Sequence, residues 1–196
     1  MKKKLGILAA ILLCCVCLPA GADLITIEIS GQVTSVSDQF NHFGNNIHIG
    51  DTITGTYTYD STGIDSNPLT GINLTVSGFD FKTDPFSVDF TLEVANNYIG
   101  ADYYTVSSYS NLPLSDGTPV QFIVWWLYDP TGTALSSDAM PLTAPDLSRW
   151  NYSDLHISHD RDFGIGATVT SAVLVPEPVT LLLLAFGITA CKLRKP

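Results

Sequence analysis

Apolar and polar residues alternate along most of the chain from Asp23 to Val175. Ile25, Ile27 and Ile29 alternate with Thr26, Glu28 and Ser30, and Val33 and Val36 follow beyond Gly31. Ile47–Tyr59 alternates again, broken at Gly50-Asp51 and Gly55. Shorter runs follow at Ile72–Phe79, Phe86–Val94, Tyr103–Ser108, Val120–Tyr128, Leu155–Ser158 and Ala167–Val175. A period of two sends successive side chains to opposite faces of a strand, and no window keeps the longer period of an amphipathic helix. Turn formers separate the runs: Gly63, Asn67-Pro68, Asn96-Asn97, Asp116-Gly117 and Asp129-Pro130. About eight short strands with frequent turns predict an all-β fold, an antiparallel β-sandwich. No fixed-period repeat points to a solenoid or propeller.

The run Phe122-Ile123-Val124-Trp125-Trp126-Leu127-Tyr128 departs from this alternation, being apolar on both faces. Such a strand is expected in the middle of a sheet and buried on both sides. Trp125 and Trp126 are neighbours and face opposite ways, so at most one of them can serve as an exposed sugar-stacking surface.

Both ends differ from this middle. Residues 1–22 read as a signal peptide: Lys2, Lys3 and Lys4, then the apolar run Leu5–Leu18, then Pro19 and the small residues Ala20-Gly21-Ala22. Cleavage after Ala22, with Ala20 and Ala22 at the recognised positions, makes Asp23 the first mature residue. Fourteen apolar residues as a helix reach about 21 Å, short of the roughly 30 Å hydrocarbon core. Residues 176–196 carry three parts in order: Pro176-Glu177-Pro178, the apolar run Val179–Cys191, and the basic tail Lys192, Arg194 and Lys195. Prolines on either side of Glu177 make a stiff joint, and basic residues after an apolar helix hold that end in the cytoplasm.

Composition sharpens the contrast. Of the 19 acids, 18 lie in the 23–175 body, against Lys82, Arg149 and Arg161 alone, a net charge of −15. That excludes a nucleic-acid surface, which needs clustered Lys and Arg, and it disfavours contact of the body with anionic lipid. Ser and Thr supply 35 of its 153 residues, as suits solvated strand faces and turns. Cys14, Cys15, Cys17 and Cys191 all lie in the end segments. The body therefore folds on a hydrophobic core without disulfides, and it is long enough to bury one.

The C-terminal order resembles the PEP-CTERM sorting signal of exported bacterial proteins, through Pro176, Glu177 and Pro178, the Leu-rich stretch Leu181–Leu184, the run to Ala190 and the basic cluster from Lys192. A segment of the body, Gly31-x-Val33 followed by Ile49-Gly50-Asp51-x-Ile53-x-Gly55-Thr56-Tyr57-Thr58-Tyr59-Asp60 and then Asp65-Ser66-Asn67-Pro68, is similar to one recurrent in ectodomains of such proteins. The resemblance implies that the C-terminal helix is a membrane anchor, at least transiently, and that an exosortase-like membrane enzyme is the processing partner. It further implies a destination at the cell envelope, then the cell surface or exopolysaccharide matrix, of a Gram-negative-type bacterium, with a structural or adhesive role in matrix or biofilm.

Candidate chemistry in the body is sparse. His156 and His159, with Asp154, Asp160 and Asp162 nearby, supply metal-ligating groups, but on a strand the two histidines face opposite ways, and no HExxH is present. No metal site is expected. Calcium is the one cofactor the acidic loops suggest, at Asp60 with Asp65 or at Asp154, Asp160 and Asp162. No DxDxDG run defines a loop, and a solvated acidic surface is the plainer reading. GxSxG is absent, the body lacks a cysteine nucleophile, and Gly164-x-Gly166 is too short for a phosphate loop. No catalytic residue is assigned, and the protein is expected not to be an enzyme. The alternative function is a lectin-like carbohydrate-binding module, calcium-assisted or not, with Trp150 and Tyr152 as the candidate glycan contacts and extracellular polysaccharide as the partner.

Overall fold

The computed structural model describes residues 24–62 and 70–176. Nine strands follow one another: β1 Leu24–Asp38, β2 Thr52–Asp60, β3 Gly71–Val76, β4 Phe79–Lys82, β5 Phe90–Tyr98, β6 Ala101–Ser108, β7 Phe122–Asp129, β8 Tyr152–His159 and β9 Phe163–Leu174. One short 3-10 turn, Leu147–Arg149, precedes β8. Among the described residues no helix is long and apolar enough to cross a membrane.

The strands join in one antiparallel sheet in the order β4-β3-β2-β1-β9-β8-β7-β6-β5. The protein is thus all-β, but the two sheets of the expected sandwich are replaced by a single sheet curled into a half-barrel. The physical reason lies in β1. It is long enough to pair with β2 along Leu24–Gln32 and with β9 along Ile27–Asp38, so nothing breaks the sheet between its halves. Register shifts at Ser30/Gly31 and Val33/Ser35 mark bulges, and bulges bend a strand and raise its twist. At the second bulge Thr34 and Ser35 both face outward before Val36 turns back in. Gly31 permits the tight approach to β9, because a Cβ there would overlap the carbonyl oxygen of Thr168.

Curling brings the two halves together over one core. The Tyr57 hydroxyl on β2 meets the Tyr104 hydroxyl on β6 at 2.6 Å. Trp125 on β7 is 0% exposed, with its ring centroid 5.7 Å from that of Tyr57 and 5.9 Å from that of Tyr104. Its indole N–H donates to Ser153 Oγ, which in turn donates to the Val169 carbonyl. Past β4 the free edge is stitched to the far half: Thr83 bridges to Asn111, and the Thr83 and Ser108 hydroxyls bond at 2.8 Å. A second aromatic group, Phe43 with Phe79, Phe81 and Phe163, fills the core beneath the β1–β2 connection.

Candidate functional site

Residues facing away from the core on β5 to β8 form an aromatic row. Tyr103, Tyr128 and Tyr152 are direct register partners on β6, β7 and β8. Their ring centroids lie 5.0 Å and 5.8 Å apart, and the Tyr128–Tyr152 planes differ by 25°. Tyr98 meets Tyr103 edge-on, and Trp126 stacks on Tyr128 at 6.1 Å. Cross-strand aromatic pairs stabilise a sheet, and rings this close spend their inner faces on each other. Tyr98 and Tyr152, at the two ends of the row, are its most exposed tyrosines, at 62% and 53%. Desolvation within the row, followed by the charge of the Tyr128 phenol, raises the Tyr103 phenol above its ordinary value. The adjacent pair Trp125-Trp126 divides as alternation requires, Trp125 into the core and Trp126 onto this outer face.

Trp150 lies elsewhere. Its ring packs edge-on to the buried Tyr104 at 6.5 Å, in the wall of a cleft of about 220 Å³ with Pro141, Asp146 and Arg149. The two candidate glycan contacts therefore do not share a surface. Three polar groups of the cleft are engaged within the protein. Arg149 donates to the Thr133 carbonyl, and Tyr104 is bonded to Tyr57. Asp146 takes the Ser148 hydroxyl and amide, which hold its carboxyl below the usual range.

The acidic and histidine candidates are likewise spread apart. His156 points outward and is exposed, whereas His159 turns toward Phe163 and reaches Asp162 at 3.4 Å. Asp154 lies on the outer face opposite Trp126 and Thr168, and Asp160 occupies the β8–β9 turn. Asp60 accepts from the Thr62 amide and hydroxyl. Among the described residues no three His, Cys, Asp or Glu side chains converge as a metal site requires. His42 ties two loops together through Asp116 and Thr118, each at 3.0 Å. The Thr118 amide and then His42 bring the Asp116 carboxyl down to about 2.

Two buried carboxylates escaped the sequence reading. Asp129 ends β7 and accepts from the amides of Thr131, Thr133 and Ala134 and from the Thr131 hydroxyl. Burial acts to raise its carboxyl, but these donors outweigh that and hold it well below the usual range. Asp102 opens β6 and accepts from the amides of Asn97 and Leu135. Both are pins for the long 129–150 connection. The Asp129-Pro130 signal marked the turn but carried no sign of this role.

The signal segment 1–22 with Ala20 and Ala22, the sorting residues Glu177 and Pro178, the basic tail Lys192, Arg194 and Lys195, and the loop residue Asp65 lie outside the described residues. Pro176 is the last residue inside them. No protein-family model matches the chain, and no curated protein matches it.

Proposed function

We propose that this is an exported, non-enzymatic protein of the bacterial cell surface or exopolysaccharide matrix, with a structural or adhesive role, sorted by its 176–196 segment. The observation that carries the reading is the way the ends of the body leave it. The Val175 amide donates to the Thr26 carbonyl at 2.9 Å, so the chain enters and exits the sheet side by side on β1 and β9. Anything attached through the Pro176 joint then holds the body by one end and leaves the outer face free. The non-enzymatic reading is supported by how the buried polar groups are used: Asp102, Asp129 and the Tyr57–Tyr104 pair are each taken up by structural partners.

The experiment is the intact mass and location of the mature protein in its own host. A species starting at Asp23 and ending near Pro176–Pro178, found outside the membrane, supports processing by an exosortase-like enzyme. A membrane-bound species that keeps Lys195 and Pro196 replaces that reading with a permanent anchor.

A lectin-like role is the second reading, favoured by the exposed Tyr152, which stacks on Tyr128 on the outer sheet face. Calcium assistance is the finer form of this reading. It predicts a melting temperature that rises with added calcium and falls back with EDTA.

A further inference from the structure

Two cross-strand rows on the outer face have glycine at their centre. Ser35 on β1, Gly166 on β9, His156 on β8 and Val124 on β7 form one row, and Ser37, Gly164, Ser158 and Phe122 form the next. Without a Cβ on β9 the sheet is thin there, and a groove of about 200 Å³ runs over it. Its walls are Ser35 and Ser37 on one side and His156 and Ser158 on the other, with Phe122 beyond. A Cβ on Gly166 would overlap the Ser35 hydroxyl, and one on Gly164 would crowd the Ser37 hydroxyl at 3.1 Å, so the glycines admit these hydroxyls.

The chemistry of the lining narrows the occupant. Ser35, Ser158 and His156 make no side-chain hydrogen bond to another described residue, so a hydroxyl, a hydroxyl and an imidazole face the groove with capacity to donate and accept. β9 pairs with both β1 and β8, and β8 also with β7, so no free strand edge lies here for an added peptide strand. No Lys or Arg lines the groove, and Arg161 in the turn beyond stands between Asp160 and Asp162. With a net charge of −15 on the body, an acidic polymer is repelled and has no cation to meet. The groove is open and smaller than the roughly 300–1,000 Å³ pockets that enclose drug-sized ligands, so it suits one ring of a longer chain. Along β8 the same face continues from His156 through Asp154 to the exposed Tyr152.

From this geometry we infer that the groove over Gly164 and Gly166 is a binding site for an uncharged, hydroxyl-rich glycan chain, lying along β9 toward Tyr152. The inference rests on the lectin-like reading and gives it a location other than Trp150. The hydroxyls and imidazole exchange hydrogen bonds with sugar hydroxyls, and Phe122 packs on a sugar C–H face.

The test passes the purified full chain over immobilised dextran and mannan as neutral polymers and over alginate as an acidic one. Three variants accompany it: Gly164→Thr, which fills the floor with a strand-compatible side chain; His156→Ala, which removes an exposed wall group; and Trp150→Ala, in the separate cleft. Retention on a neutral polymer that falls at least about tenfold in both groove variants and is unchanged by Trp150→Ala is expected. His156→Ala alters only an exposed outer-face side chain, so its result stands even if Gly164→Thr folds poorly. Neutral retention that survives both groove variants overturns the groove and leaves the lectin-like reading standing. Retention on alginate alone overturns the uncharged class of ligand. Retention on none of the three overturns the lectin-like reading and the groove together.

Discussion

Asp102 and Asp129 face each other directly across β6 and β7, both buried, and each draws its hydrogen bonds from loop amides. Carboxyl groups set opposite one another in a core need donors of their own, and the converging N–H groups supply them. The pair thereby holds down the 129–150 connection, which has no strand of its own, and with it Arg149 and Trp150.

Acid sensitivity follows from that pinning. The folded-state pKa of Asp129 lies below its unfolded value, so its contribution is complete above the ordinary aspartate range and is lost as pH falls through the folded value. Asp116, brought down to about 2, acts in the same direction. Melting temperature measured from pH 7 down to pH 2 should fall below about pH 4. In Asp129→Asn the protein should melt lower at pH 7 and lose less on acidification, because an amide cannot accept from all of these donors.

Trp125 and Trp126 should separate cleanly by denaturant unfolding. Truncating the fully buried Trp125 to Ala should cost about 3–5 kcal/mol. The same change at the half-exposed Trp126 should cost about 1 kcal/mol. Equal costs would contradict the assignment of faces.

The Tyr57–Tyr104 bond offers a double-mutant cycle. Tyr57→Phe leaves the Tyr104 hydroxyl buried without its partner and should cost about 1–3 kcal/mol. Tyr57→Phe with Tyr104→Phe should cost less than the sum of the single changes, since both polar groups then leave together.

Ile99 occupies the tip of the β5–β6 hairpin at φ 53°, a conformation that a β-branched side chain adopts only with strain, and it is 88% exposed. Little packing offsets that strain. Ile99→Asn should therefore stabilise the protein by about 1 kcal/mol in chemical denaturation. The opposite extreme is Gly55, where a Cβ would overlap the Asn73 carbonyl oxygen, and Gly55→Ala should destabilise by roughly 3 kcal/mol.

Several elements follow from local pattern, and the exceptions have local causes. Alternation located β1, β2, β6 and β8, because a strand's two faces meet different surroundings, and the run apolar on both faces located β7. The run Ile72–Phe79 reads as one strand, yet Ser77 and Gly78 both take positive φ and split it into the β3–β4 hairpin. The Asn96-Asn97 signal marks an irregularity in β5 instead of its end, and the chain reverses at Ile99-Gly100. Phe86, read as the start of a strand, sits in a turn where the Asp84 carboxylate accepts its amide, and its ring is exposed.

The candidate site divides along the same line. The alternation rule alone sends Trp125 and Trp126 to opposite faces and separates His156 from His159. Gly164 and Gly166 also show a bare stripe in the sequence, since glycines two apart on a strand share a face. What lies beside that stripe depends on which strands pair with β9 and in which register, as does the meeting of Asp102 with Asp129. So does the choice of one curled sheet over a sandwich, made by a bulged β1 that pairs on both sides. Those outcomes join residues far apart in the chain, and local periodicity carries no information on long-range pairing. The sequence by itself determined the strand content, the acidic cysteine-free body and the distinct ends; the tertiary structure decided which side chains share a surface.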